Sequence, residues 1–409
     1  MALIVQKYGG TSVGDLDRIS NVARRVVARK DAGNDMVVVV SAMAGETDRL
    51  INLAKKIVPT PNERELDVLV STGEQVSVAL LAITLDSMGY RAKSYCGWQI
   101  PLTTNSAFGE ARITDVKRDA IMEDLKNGYV VIVAGFQGAD EDGNITTLGR
   151  GGSDTSAVAV AAALKADCCE IFTDVDGVYT TDPNITSKAR KINKIAYEEM
   201  LEMASLGAKV LYIRAVEFAM RHRVPVVVRS SFNDNEGTLV TEEDPEMEKE
   251  AVSAVTCNTK EAKITFSGVD DRPGVASRIF SALADANVVV DMIIQNSSAD
   301  GKTDISFTVP ESTLEKSLEI CRAINAKVEA RDVTGSNDIA KVSIIGLGMR
   351  SHAGVASKMF SALANEGINI EMISTSEIKI SCVIQRKYAE LAVRALHDAF
   401  ELHKVRSPI

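Results

Sequence analysis

Five short apolar runs punctuate the first 232 residues of this 409-residue chain, at 3–6, 36–40, 129–134, 170–173 and 225–228. They are continuous rather than alternating, which is the pattern of strands buried on both faces. Segments 15–30, 65–88, 111–126, 153–165, 197–204 and 214–221 read as helices. This alternation of strand and helix constrains the region to an α/β fold, a mostly parallel central sheet covered on both faces. Such sheets bind ligands beyond the carboxyl ends of their strands. The residues that follow each run are therefore where chemistry is expected.

The C-terminal part follows a different rule. PGVASRIFSALADANVVVDMI at 273–293 and AGVASKMFSALANEGINIEMI at 353–373 share 11 of 21 positions at a fixed offset of 80. Two copies of one module are present. Each reads strand, glycine-led helix, strand, strand, helix. The first copy has these at 263–268, 274–286, 288–296, 303–309 and 314–324, the second at 340–346, 354–366, 368–375, 378–384 and 389–400. The pattern is a small α+β sandwich with its helices on one sheet face. Residues 233–250 are polar and acidic and read as a surface linker with a short strand at 238–241. The expected organisation is a first domain over 1–232, a linker over 233–250, and modules over 251–335 and 336–409.

A net charge of −10 argues against nucleic acid or an acidic membrane as partner. The six cysteines form no CxxC pair, and Cys168 and Cys169 are adjacent, so reduced buried thiols are expected. Four histidines argue against a zinc site. The N-terminus reads as a strand rather than a signal peptide, and no apolar run is read as a membrane span, so a cytoplasmic location is expected.

Lys7-Tyr8-Gly9-Gly10-Thr11-Ser12 follows the first strand. Glycines that turn N–H groups outward, a lysine and a helix N-terminus together make an anion cradle. The lysine precedes the glycines, so this is not a Walker A loop. Read alone, it is equally a tight turn. Gly149-Arg150-Gly151-Gly152-Ser153-Asp154 opens a second helix after a strand-like segment. Arg150 offers a planar fork for a carboxylate or phosphate, and Asp154 either serves chemistry or simply favours the helix dipole. Glu74, within VSTGE, is either a partner for a substrate ammonium or a solvated helix residue. Ser41 and Thr47 follow the second strand as helix caps or ligand hydroxyls. The run from Phe172 to Pro183, FTDVDGVYTTDP, has the acidic spacing of a calcium loop but lacks its later ligands. Tyr179 has a ring that can stack on a base, and Lys209 can neutralise phosphate.

KYGGTS, SAMAG, VSTGE, GRGGSD and FTDVDGVYTTDP occur in this order, followed by two related modules and NIEMISTSEIKIS. On these motifs the chain resembles, over essentially its whole length, the aspartate kinases. The resemblance implies a three-layer amino-acid-kinase sandwich followed by two ferredoxin-like ACT domains. It implies transfer of the ATP γ-phosphoryl group, with Mg²⁺, to the side chain of L-aspartate. By resemblance, Lys7 contacts the transferring phosphoryl with Gly9 and Gly10, and Asp154 orients Lys7 or the metal-phosphate end. Ser41, Thr47, Glu74, Arg150, Gly151 and Ser153 bind substrate. Thr173, Asp174, Tyr179, Asp182, Lys209 and Val210 line the nucleotide site, and no protein ligand to the metal is assigned. The ACT modules imply feedback control by lysine, threonine or both. The matching positions are Gly274, Asp291, Gln295 and Asn296 in one copy, and Gly354, Asn369, Ile370, Ser374 and Thr375 in the other. Ala353 stands where a proline is common, which puts the second pocket in doubt. The family also implies a homo-oligomer formed through ACT pairing, a strand at 251–258 completing the second module, and a shorter subunit started at Met247. The rival readings are a related amino-acid kinase, a nucleotide-binding oxidoreductase and a non-catalytic amino-acid sensor. The first lacks the paired tail, the second needs a GxGxxG that Gly9-Gly10 does not supply, and the third leaves Lys7, Glu74, Arg150 and Asp154 without a use.

Overall fold

Eight strands form the central sheet, in the order Lys194–Ala196 (β10), Thr238–Thr241 (β12), Val226–Ser230 (β11), Cys168–Thr173 (β9), Leu3–Tyr8 (β1), Asp35–Val40 (β2), Val130–Ala134 (β6) and Ala92–Tyr95 (β3). All neighbours are parallel except β11 and β12. The computed structural model describes residues 2–404 apart from 101, 208–209, 245–249 and 298–300, so Lys209 and Met247 lie outside the described residues.

The five apolar runs are β1, β2, β6, β9 and β11. Their double burial is real: Val38 and Val40 face one side, Val37 and Val39 the other, and all four are fully buried. On the first side, Tyr8, Val38, Val40 and Ile132 pack with Ile19, Val22 and Val26 of the helix Leu16–Asp31 and with Val78, Leu81 and Leu85 of the helix Thr72–Ser87. The helix Gly152–Leu164 packs on β1, β2 and β9. Its alanine-rich middle, Ala157–Ala161, is wholly buried.

Several expectations change. The segment 111–126 is not one helix. Its ITDV, with three β-branched residues in four, forms the strand Ile113–Val116 (β5), and the helix begins only at Asp119. β5 joins Leu102–Thr104 (β4), Gln137–Ala139 (β7) and Ile145–Thr147 (β8) in a small separate sheet. The strand at 238–241 is an integral member of the central sheet, with Thr238 fully buried. The helical stretch Glu63–Ser87 is long and apolar enough, by length and composition, to cross a membrane. Val78, Leu81 and Leu85 within it are core residues of this unit.

The chain divides into two compact units. One holds the residues up to Val178 and Lys191–Asp244; the other holds Tyr179–Arg190 and the chain beyond Asp244. The second unit contains two four-stranded antiparallel sheets, each with two helices. In the first, Ile293–Ser297 (β15), Lys302–Pro310 (β16), Glu261–Asp270 (β14) and Asp332–Ser336 (β17) lie in that order. In the second the order is Ala254–Asn258 (β13), Ile339–Ile345 (β18), Lys379–Gln385 (β20) and Met372–Thr375 (β19). β13 pairs antiparallel with β18, so a strand that precedes the first module in sequence closes the sheet of the second.

The two modules are joined by reciprocal contacts. Met292 of the first and Met372 of the second, 80 positions apart, share one apolar cluster with Ile339 and Val383. Lys263 of the first pairs with Glu371 of the second, and Lys341 of the second pairs with Asp291 of the first. Lys341 is 2% exposed and also lies 2.5 Å from Glu261. A buried ammonium between two carboxylates is compensated by both.

Val255 of β13 is fully buried in the core of the second module. Val255→Ala is expected to cost about 2 kcal/mol. Hydrogen exchange should quicken in β18 and β20 while β14 and β16 stay protected. Loosening of β14 instead would assign β13 to the first module.

Candidate active site

The exits of five adjacent strands are tied together by backbone bonds. The Gly9 N–H donates to Phe172 O after β1, Ser41 N–H to Tyr8 O after β2, Gly135 N–H to Val40 O after β6, and Ser231 N–H to Thr173 O after β11. The carboxyl ends of β9, β1, β2 and β6 thereby form one platform, on the side where a parallel sheet binds ligands.

Lys7 rises from the end of β1. Its Nζ lies 2.6 Å from Asp154 Oδ1, with each side chain 11% exposed. The contact is an ion pair whose angles fall outside hydrogen-bond geometry, since Asp154 Oδ1 has no hydrogen-bond partner among the described residues. Asp154 stands in the first turn of the helix Gly152–Leu164. That helix is entered through Gly149 and Gly151, at φ 72° and 70°, where side-chain-bearing residues are strained. A Cβ on Gly151 would fall 2.0 Å from Tyr212 Cγ. Gly10 has no room either: a Cβ would lie 2.8 Å from Ala42 O. A four-residue 3₁₀ turn, Gly10–Val13, separates Gly9 from the helix Leu16–Asp31. The glycine pair therefore leads into a tight turn rather than straight into the helix.

Glu74 sits at the start of the helix Thr72–Ser87 and is 2% exposed. Its Oε1 accepts the Ala42 N–H at 3.0 Å, while Oε2 is buried without a hydrogen-bond partner among the described residues. Burial pushes its pKa up to about 7. A carboxylate held like this is suited to an incoming cation, which would supply the missing partner and return the pKa toward normal.

The other sequence candidates distribute as follows. Ser41 lies at the β2 exit beside Tyr8 O. Thr47 is half-buried in the first turn of the helix Glu46–Ile57. Arg150 is exposed between the two left-handed glycines. Ser153 is buried and packed against Gly135, where any Cβ would meet its side chain at 2.8 Å. Thr173 ends β9 and donates its hydroxyl to Asp174 at 3.0 Å. Val210 is half-buried in the same unit. Tyr179 and Asp182 belong to the other compact unit. Gly135, Ala42 and the buried hydroxyl pair Ser12–Ser231, 2.5 Å apart, shape the platform and were not singled out by sequence. Ser12 lies inside KYGGTS and Ser231 at a strand exit, which was the available signal.

In the second unit, Gly274 and Gln295 line one concavity with Asp271, Arg272 and Thr303. Asn296 is exposed in β15, and Asp291 is engaged by Lys341. Gly354 lines a different kind of cavity, with His352, Lys358, Phe400 and Leu402. Asn369, Ile370, Ser374 and Thr375 do not line that cavity.

The model of the amino acid kinase family matches residues 2–230, and that of the ACT domain matches 264–323 and 342–400. An aspartate kinase of Stutzerimonas stutzeri is 59% identical over 403 residues, covering 98% of each chain. This chain belongs to the aspartate kinase family. Among solved structures, Escherichia coli aspartokinase III in complex with aspartate and ADP (R-state) is similar with a TM-score of 0.81 at 29% identity, covering 97% of this chain and 99% of that one. The same E. coli enzyme in complex with lysine and aspartate (T-state) gives 0.78 at 28% identity, with coverage of 97% and 99%. The three-layer kinase fold and paired ACT domains implied by the sequence are thus shown.

A raised carboxyl pKa means that the folded state binds more protons than the unfolded chain between about pH 4.5 and 7. Stability contributed through Glu74 is therefore lost as pH rises across that window. Glu74→Gln keeps an acceptor for Ala42 and removes the buried charge. It should raise Tm at pH 8 by a few degrees, on the order of 2 kcal/mol, and leave Tm unchanged at pH 5. A pH-independent effect, followed by calorimetry, would refute this assignment of the charge.

Proposed function

We propose that this chain catalyses transfer of the γ-phosphoryl group of ATP to the side-chain carboxylate of L-aspartate, giving 4-phospho-L-aspartate. The observation that carries the reading is the arrangement of Lys7 and Asp154 at the β1 exit beside Gly9 and Gly10, with the half-satisfied Glu74 held at the neighbouring β2 exit. The E. coli relative crystallised with aspartate and ADP supports it.

The acceptor carboxylate, with a pKa near ~3.9, is ionised at pH 7. No general base is needed to make the nucleophile. The obstacle is repulsion between two anions, so catalysis rests on positioning and charge neutralisation. Lys7 supplies positive charge at the transferring phosphoryl, and Asp154 fixes its direction. Backbone groups of Gly9 and Gly10 approach the phosphate closely because neither carries a side chain. Glu74 takes the substrate ammonium at its open Oε2, and Arg150 takes the α-carboxylate. Ser41, Thr47, Gly151 and Ser153 complete the substrate set. Thr173, Asp174 and Val210 belong to the nucleotide side; Tyr179, Asp182 and Lys209 join them on resemblance alone. A nucleotide-bound Mg²⁺ would be held by phosphate oxygens, water and one or two carboxylates. Asp174, exposed at the β9 exit, is a donor of that kind. When bound there, the ion would offset phosphate charge.

Lys7→Ala should lower kcat by about 10²–10³-fold, with KM for aspartate changed only a few-fold. The readout is ATP- and aspartate-dependent product trapped as the hydroxamate. Near-normal turnover would end the assignment. Because Glu74 must be ionised to hold an ammonium, kcat/KM for aspartate should fall as pH drops through about 7.

The regulatory reading is feedback by lysine, threonine or both at the ACT modules, with first-step biosynthesis of these amino acids as the role. The lysine-bound T-state of E. coli aspartokinase III supports an amino-acid effector. The concavity at Gly274 and Gln295 is the favoured pocket, and the different surroundings of Gly354 support another role for the second copy. Inhibition requires unequal affinity for two enzyme states. Initial rates with lysine alone, threonine alone and both together test this. Equal rates in all conditions would refute it.

A further inference from the structure

We propose that His397, Asp398 and His403 form a binding site for a borderline divalent transition metal such as Zn²⁺, at the C-terminal end of the last helix. Four histidines spread through the sequence argue against zinc, but folding changes that count. One donor atom from each of these three residues lies within 4.8 Å of the others. Two imidazoles and one carboxylate, with one position left for water, are the donor set and number that Zn²⁺ takes.

The independent sign of a ligand is His397. Its ring is fully buried, and Nδ1 has no hydrogen-bond partner among the described residues. A buried unpaired ring nitrogen is costly unless something fills its place. The other nitrogen is fixed: Nε2 lies 3.0 Å from Thr180 Oγ1. Thr180 is held in turn, its hydroxyl accepting the Arg190 N–H at 3.0 Å and its carbonyl accepting the Val255 N–H at 2.8 Å. A metal-binding histidine whose second nitrogen is anchored in this way is oriented before the ion arrives.

The location favours a cation. His397 and Asp398 end the helix Ala389–Ala399, where the dipole is negative. Lys188 already answers that field: its Nζ lies 2.8 Å from both carboxylate oxygens of Asp398. The ammonium therefore holds the carboxylate when no metal is bound, and the two cations compete for it. Metal–ligand bonds of about 2.0–2.1 Å need donor separations of about 3.4 Å. Asp398 and His403 are exposed, so that release of Asp398 from Lys188 and a shift of both side chains would close that distance while His397 stays fixed.

The test uses the full chain, untagged and stripped of metal, titrated with Co²⁺ and Zn²⁺ without nucleotide. One equivalent should bind, with visible Co²⁺ bands of nitrogen and oxygen ligation. His403→Gln and Asp398→Asn, both surface changes, should weaken binding at least tenfold and leave the rate of phosphorylation unaltered. Lys188→Ala should tighten binding several-fold by removing the competing ammonium. No binding at millimolar metal, equal binding in the two ligand variants, or a thiolate charge-transfer band would overturn the proposal.

Discussion

Four backbone hydrogen bonds join the exits of five neighbouring strands, and the positions of the site's side chains follow from them. Gly9, Ser41, Gly135 and Ser231 each donate to the strand beside their own. These bonds need close backbone approach, which explains the crowding at Gly10, Gly135 and Gly151. Lys7 then has one direction in which to extend, and the helix carrying Asp154 has one place to begin. The same constraint puts Ala42 against Gly73, so that the next residue, Glu74, meets the Ala42 N–H. Preorganisation here is a matter of backbone spacing first and of charge second.

The burial of Glu74 sets what the site lacks. A carboxylate with one oxygen satisfied and one bare is unstable as an anion and stable once paired. Lys7 and Asp154, by contrast, neutralise each other. Glu74 is therefore the point of this platform where a cation would be stabilising, which is what the proposed role for it requires.

Much of this architecture was legible in the sequence because strands buried on both faces leave continuous apolar runs, and because a repeat of 80 residues survives in plain view. β3 escaped notice because Ala92–Tyr95, an edge strand with sequence AKSY, carries no apolar run. β12 was legible as a strand but read as part of a surface linker, because its TLVT lies within an acidic segment; tertiary contacts place it in the central sheet and bury Thr238 completely. The grouping of KYGGTS with GRGGSD was readable as two glycine turns behind strands. The bare oxygen of Glu74 was not, since the helix around it is apolar on most sides and gives no sign of which face meets Ala42. Nor was the meeting of Thr180 with His397, 217 positions apart.

The segment Tyr179–Arg190 leaves the first unit and rejoins it, so the chain passes between the two units three times: at 178–179, at 190–191 and again after Asp244. A single crossing makes a tether, which can lengthen or swivel without consequence for either end. Three crossings make a harness. One cut after Asp244 leaves only Tyr179–Arg190 of the second unit covalently attached to the first, through 178–179 and 190–191. Any rotation of one against the other must be absorbed at several peptide segments at once, one of them continuous with the β9 exit where Thr173 and Asp174 stand.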